Sequence, residues 1–161
     1  LTKIGDYAFY QCSNLALTSL PAGVTSIGRY AFNQCSNLAL TSLPAGVTSI
    51  GGYAFNRCSN LALTSLPTAL TTIDSYAFDY CYALDITSIP AGVTSIGSYA
   101  FEKCTLLKSI SFLGTPSTIG NRAFYNCSGL RTINAPWAEG AVTGAPWGAT
   151  NVTINYNYTG G

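Results

Sequence analysis

The chain has 161 residues, only 8% of them charged, and a formal net charge of +1. That length suffices for one ordinary domain with a core, and the near-neutral balance supplies neither a basic field for nucleic acid nor an acidic tail. No run of about 18 apolar residues marks a membrane span, no charged-then-apolar leader is visible, and a chain that starts at Leu1 and lacks Met reads as a mature or trimmed fragment.

The opening LTKIG aligns with the later VTSIG, so the chain begins inside a repeated unit. From Cys12 to Gly28 it reads CSNLALTSLPAGVTSIG, and the same letters return from Cys35 to Gly51. A third copy starts at Cys58 and diverges after Pro67. The step is 23 residues throughout: it links Cys12, Cys35, Cys58, Cys81, Cys104 and Cys127, and equally Phe9, Phe32, Phe55, Phe78, Phe101 and Phe124. Isoleucine (Ile4 to Ile119) and leucine (Leu15 to Leu130) keep the same step. A unit this short cannot bury its own apolar side chains, so successive units must stack.

Within a unit, Ala8, Phe9, Cys12 and Leu15 fall at i, i+1, i+4 and i+7, which predicts a short helical turn. The Thr-rich apolar segment that follows predicts a short strand ending at Leu20, with Pro21 closing it. Gly23 and Gly28 supply the bends, and stacked strands must be parallel. Columns that vary between copies read as exposed. One holds Asp6, Arg29, Gly52, Ser75, Ser98 and Asn121; another holds Tyr10, Asn33, Asn56, Asp79, Glu102 and Tyr125. The column Tyr7, Tyr30, Tyr53, Tyr76 and Tyr99 breaks at Arg122 and reads as an outer ladder with packed rings and wet hydroxyls, or alternatively as a contact surface. The Phe and Cys columns read as the buried structural ladder. The cysteines are expected as free thiols: an in-register ladder aims them the same way, although an even count in a secreted chain argues for disulfides.

After Asn134 the period stops. The tail contains Ala135-Pro136-Trp137 and Ala145-Pro146-Trp147 and closes on an alternating VTINYNY that suits an edge strand. The division expected is therefore repeats over 1–134 and a C-terminal cap over 135–161, with both Trp lidding the last repeat. A second reading makes Trp137, Trp147, Tyr156 and Tyr158 a glycan-binding surface.

The unit L-P-x-x-V-x-x-I-G-x-x-A-F-x-x-C-x-x-L resembles the BspA-like, or Treponema pallidum-type, leucine-rich repeat over residues 1 to about 134. The resemblance implies a right-handed leucine-rich repeat solenoid, a β/α superhelix with a parallel sheet of short strands on one face and short helical turns on the other. It also implies bacterial surface-exposed or secreted proteins that bind host or neighbouring-cell proteins. One column departs from the family. Three places after the repeat Leu stand Thr18, Thr41, Thr64 and Thr87, and only Ile110 and Ile133 fit; an apolar residue sits one place earlier, at Leu17, Leu40, Leu63 and Ile86. Either the backbone bulges and these residues turn inward, the preferred reading, or they form an exposed apolar strip.

No chemistry of catalysis is legible. Histidine is absent, the six acids are scattered over different columns, and no C-x-x-C or phosphate loop occurs. The expectation is a non-catalytic recognition and adhesion module without cofactor or metal, extracellular or on a bacterial surface, whose partner is a protein and not nucleic acid or the membrane interior. The ligand-facing row expected is Ser19, Ser42, Ser65, Ser88 and Ser111. A structural spacer, self-associating through an uncapped N-terminal end, is the alternative.

Overall fold

The computed structural model describes residues 1–160 and shows a solenoid of stacked coils with parallel pairing throughout. One six-stranded sheet is built from β1 (Lys3–Ile4), β2 (Ser26–Ile27), β3 (Ser49–Ile50), β4 (Thr72–Ile73), β6 (Ser95–Ile96) and β8 (Thr118–Ile119). Its register steps by one repeat at each pair, from Ile4↔Ile27 to Ile96↔Ile119. A second sheet, in the order β10-β9-β7-β5, contains β5 (Ser88–Ile89), β7 (Ser109–Phe112), β9 (Thr132–Asn134) and β10 (Thr153–Asn155).

The continuous sheet is not where the sequence pattern places it. It runs along the Ser-Ile-Gly column, and the Leu15–Leu20 type of segment pairs as a strand only from the fourth coil onward. The cause is local. In the second coil Leu40 and Leu43 are buried while Thr41 and Ser42 both face solvent, an in-out-out-in pattern that no regular strand can satisfy. In β7, Ser109, Ile110, Ser111 and Phe112 alternate strictly, and a four-residue strand forms; the fourth coil keeps the early pattern at Ile86–Ile89 and pairs with β7 only through Ser88 and Ile89. Leu40, Leu63 and Ile86 thus point inward, and Leu17 packs half-buried against the core. The backbone departs from strand alternation there by one extra outward residue.

The expected helical turns are absent too; no helix occurs among the described residues. Each coil places two non-glycine residues in the left-handed region, Tyr7 and Gln11 in the first and Tyr30 and Gln34 in the second, with φ between 56° and 59°. Left-handed residues interrupt a right-handed helix. In their place, the N–H groups of Tyr7, Phe9 and Gln11 donate to Arg29, Ala31 and Asn33 of the next coil at 2.7–2.8 Å. The intervening Ala8, Tyr10 and Cys12 donate to carbonyls three residues back. Half of the donors therefore serve the stack, which a helix would forbid.

Packing follows the same period. Phe32, Phe55, Phe78, Phe101 and Phe124 are fully buried, and their rings stack at 5.4–5.5 Å with near-parallel planes. Each such contact contributes about 0.5–1.5 kcal/mol beyond burial. Beside them, Cys35, Cys58, Cys81, Cys104 and Cys127 each donate Sγ–H to the Phe carbonyl of an earlier coil at 2.9–3.1 Å. All six cysteines are free, and only Cys12 is exposed. Outside the phenylalanines, Tyr7 to Tyr99 stack at 4.6–4.9 Å, and Arg122 Nη1 ends the ladder by donating to the Tyr99 hydroxyl at 2.9 Å.

Two glycine and polar columns differ from expectation. Gly28 has no positive φ and makes no sharp bend; its role is close approach, since a Cβ there would lie 2.5 Å from Asp6 Oδ1 and 2.6 Å from the Asp6 nitrogen. The column read as exposed through Asn33, Asn56 and Asp79 is buried. Asn33 Nδ2 donates to Asn56 Oδ1, and Asn56 Nδ2 to Asp79 Oδ2, both at 2.8 Å. Short amides that bond their own counterparts one coil away satisfy each other, so a varying polar column can lie inside. The ladder ends unsatisfied, because Asp79 Oδ1 has no partner.

The tail continues the stack. Strand β10 pairs with β9 in parallel, Ile154 opposite Ile133, and the Trp147 carbonyl accepts the Phe124 N–H at 3.0 Å, where a repeat alanine carbonyl would otherwise stand. Trp137 lies edge-on to Phe112 at 5.1 Å and to Trp147 at 6.2 Å.

Candidate functional site

The outward positions of the Leu-Thr-Ser-Leu segment form a regular polar row along the coils. Ser19, Ser42 and Ser65 are exposed; Ser88 and Ser111 are half-buried. The bulge that turns Leu40 inward also turns Thr41 and Ser42 outward together, so the first four coils offer a Thr–Ser pair, Thr18–Ser19 to Thr87–Ser88. From the fourth coil the face becomes a sheet, and a groove of about 470 Å³ is lined there by Asp85, Thr87, Ser88, Lys108, Ser109 and Ser111. Ser111 is itself engaged, its Oγ accepting from Asn134 Nδ2 at 2.9 Å, and Asn155 Nδ2 continues that row to Asn134 Oδ1 at 2.8 Å.

Charge enters this face at one column. Ala16, Ala39 and Ala62 occupy it in the first three coils, followed by Asp85, Lys108 and Arg131, all exposed. These charged residues did not stand out as candidates in the sequence. The signal was present, since the column is uniform through the verbatim copies and changes only where the copies drift. A second groove of about 530 Å³ follows the six-stranded sheet, lined by Ser49, Thr72, Ser95 and Thr118, with Asp74 its one charged residue. Asp74 Oδ1 accepts the Ser75 N–H at 2.7 Å.

The surface expected of the tail is not offered. Trp137 is 5% exposed and Trp147 1% exposed, inside the same core as the phenylalanines. Trp147 Nε1 donates to the Thr143 carbonyl at 2.9 Å. Indoles so enclosed cannot present a face to a sugar, and Tyr156 and Tyr158 are half-buried. Burial of apolar area on the last coil outweighs exposure of two large rings.

The five buried thiols are poor nucleophiles. Burial pushes Cys35 up to about 11 and Cys127 up to about 12, and drives Cys58, Cys81 and Cys104 upward as well, with neighbouring thiols adding to the latter three. Among the described residues, no group of three or more His, Cys, Asp or Glu could hold a metal ion, and no helix is long and apolar enough to cross a membrane.

The profile of BspA type leucine rich repeat regions matches residues 2–131 in six copies. The leucine rich repeat protein of T. pallidum, a crystal structure, is 31% identical with a TM-score of 0.67, the match covering 81% of this chain and 72% of that one. A leucine rich cell surface protein from Faecalibacterium prausnitzii is 23% identical with a TM-score of 0.47, covering 97% of this chain and 69% of that one. A leucine-rich repeat protein from Bacteroides ovatus is 25% identical with a TM-score of 0.40, covering 97% and 58%. No curated protein matches the chain.

Proposed function

The chain belongs to the BspA-type leucine rich repeat family, and from that premise we propose that it is a non-catalytic protein-recognition module, used in adhesion by a bacterial surface or secreted protein. One observation carries the reading: a row of short hydroxyl side chains at one-coil intervals, Ser19, Ser42, Ser65 and Ser88, beside a column that turns from alanine to Asp85, Lys108 and Arg131. Short hydroxyls lose little rotamer entropy when a partner orders them, and they both donate and accept. The uniform half suits a repetitive partner bound by several weak contacts at once. The charged half supplies orientation and selectivity.

The test is adherence of beads coated with the chain to immobilised extracellular-matrix and cell-surface proteins. Adherence to a panel protein, lost when Ser19, Ser42 and Ser65 all become Glu and reduced by Lys108→Glu, is the expected result. Adherence that survives the triple variant, or none to any panel member, overturns it.

A second reading, self-association, is favoured by the first coil, where Phe9, Leu15, Leu17 and Leu20 are only partly buried. A mass by light scattering that stays monomeric over a hundredfold concentration range removes that reading; a rising mass places it first.

A further inference from the structure

We propose that Arg57, Ser59, Tyr80, Tyr82 and Lys103 form a binding site for a carboxylated sugar residue, on the turn side of the solenoid and separate from the serine row. The site arises where three successive coils depart from the repeat. Arg57, Tyr80 and Lys103 share a column that holds Gln11 and Gln34 in the first two coils, and all three have φ of 58–60°. Side chains leaving the same backbone geometry on adjacent coils must lie over one another. Arg57 Cζ stands 4.4 Å from the Tyr80 ring centroid and Lys103 Nζ 4.6 Å from it, one from the coil before and one from the coil after. Lys103 Nζ also donates to the Tyr80 hydroxyl at 3.2 Å. Tyr82 occupies a column that is serine at Ser13, Ser36 and Ser59; the residue is 45% exposed and its ring lies edge-on to Tyr80 at 6.0 Å.

Beside Lys103, the residues Arg57, Ser59, Tyr80 and Tyr82 line an open cleft of about 220 Å³. It is smaller than the roughly 300–1,000 Å³ of a drug-sized pocket, and the size suits one pyranose ring. Its lining has no aliphatic side chain to receive an apolar peptide residue. It does have an exposed aromatic face for the C–H face of a sugar, the hydroxyls of Ser59, Tyr80 and Tyr82, and a guanidinium fork that matches a carboxylate in two hydrogen bonds. Arg57 and Lys103 bring two positive charges to one ring, and that local field favours an anion beside them. The carboxyls nearest in sequence are Asp79 and Glu102, each preceding a member of the cluster. Burial first, then Glu102, pushes Asp79 up to about 7, which lowers the opposing negative charge near neutral pH.

The experiment is saturation-transfer NMR and calorimetry on the full chain with glucuronate and N-acetylneuraminate, with glucose and N-acetylglutamate as comparators. Expected is millimolar binding of at least one acidic sugar, about tenfold tighter than either comparator, and a further tenfold loss in Arg57→Gln and in Tyr82→Ser. Both substitutions place residues that the same columns already hold in earlier coils, so folding is retained and circular dichroism verifies it. Binding must also weaken with added salt. No binding, equal binding of N-acetylglutamate, or binding unchanged in Arg57→Gln or Tyr82→Ser overturns the proposal.

Discussion

The first three coils and the later ones share the Ile, Ala-Phe, Cys and Leu core columns, yet they make different surfaces. From Cys12 to Pro67 the sequence is nearly a verbatim copy, the Leu-Thr-Ser-Leu segment bulges, and no strand forms there. From Ser88 onward the same segment pairs into a four-stranded sheet that ends in the tail strand β10. Charge and off-ladder aromatics are sparse early, at Lys3, Asp6, Tyr10, Arg29 and Arg57, and thicken later with Asp74, Asp79, Tyr80, Tyr82, Asp85, Glu102, Lys103 and Lys108. The stack is fixed by the period, and the period is conserved between the halves. Surface character is fixed by what lies between the core columns, and that part diverges. A repeat protein can therefore hold its frame constant while individual coils acquire distinct contacts.

The largest effect expected comes from the ladder that both halves share. Phe78→Ala removes a fully buried ring stacked on both sides and should cost about 3–5 kcal/mol in urea unfolding. Phe9→Ala, in a first coil that covers its ring on one side only, should cost less than half as much. Equal losses would mean that the first coil is as firmly packed as the middle.

The next effect sharpens the contrast in strand formation. In the third coil the buried positions are 61, 63 and 66; in the fifth, the equivalent span is 107, 110 and 112. Leu63→Ser alone empties a core site and should cost about 2–5 kcal/mol. Adding Thr64→Ile reproduces the later pattern over the same span. The double variant should recover to within about 1.5 kcal/mol of the parent and show new amide protection near Ser65. If the double variant is as unstable as the single one, alternation is not what separates the two halves.

Asp79 sits where the amide ladder of the early coils meets the acids of the later ones. Its folded pKa, about 7, lies above the ordinary 3.8. The folded state therefore holds more protons than the unfolded one between those values, and stability falls as pH rises through that window, levelling above about 7. Asp79→Asn replaces the unpartnered Oδ1 by a donor and extends the Asn33–Asn56 ladder. It should stabilise by about 1–3 kcal/mol at pH 8, have little effect at pH 4, and remove most of the slope. A slope unchanged in the variant would assign it to other groups.

The smallest effect leaves stability untouched. With Ellman's reagent, Cys12 should react at once in the folded chain, and the other five thiols only on unfolding. A second fast thiol would locate a coil that opens locally.

Much of the frame was legible because identical residues at an unbroken step have only one way to be buried: against their own copies. Phe32 to Phe124 and Cys35 to Cys127 could be placed inside without knowing any dihedral angle. The inward turn of Leu40 and Leu63 was also legible, since exposed leucines in a row are costly. The turn geometry was not, because i, i+4 spacing suits both a helix and a left-handed turn whose alternate N–H groups serve the next coil. Nor was burial of Asn33, Asn56 and Asp79, since variation reads as exposure unless the partner one coil away is seen. The Arg57–Tyr80–Lys103 cluster was hidden for a related reason: each residue alone looked like drift in a column.

The sequence by itself determined the repeat length, the core columns and the absence of a catalytic histidine, because periodicity and composition are local facts. Only the tertiary structure decided which segment pairs along the whole length, which polar column is buried, and which side chains meet. Those outcomes depend on hydrogen bonds and contacts between residues one coil apart, about 4.8 Å in space and 23 positions in sequence.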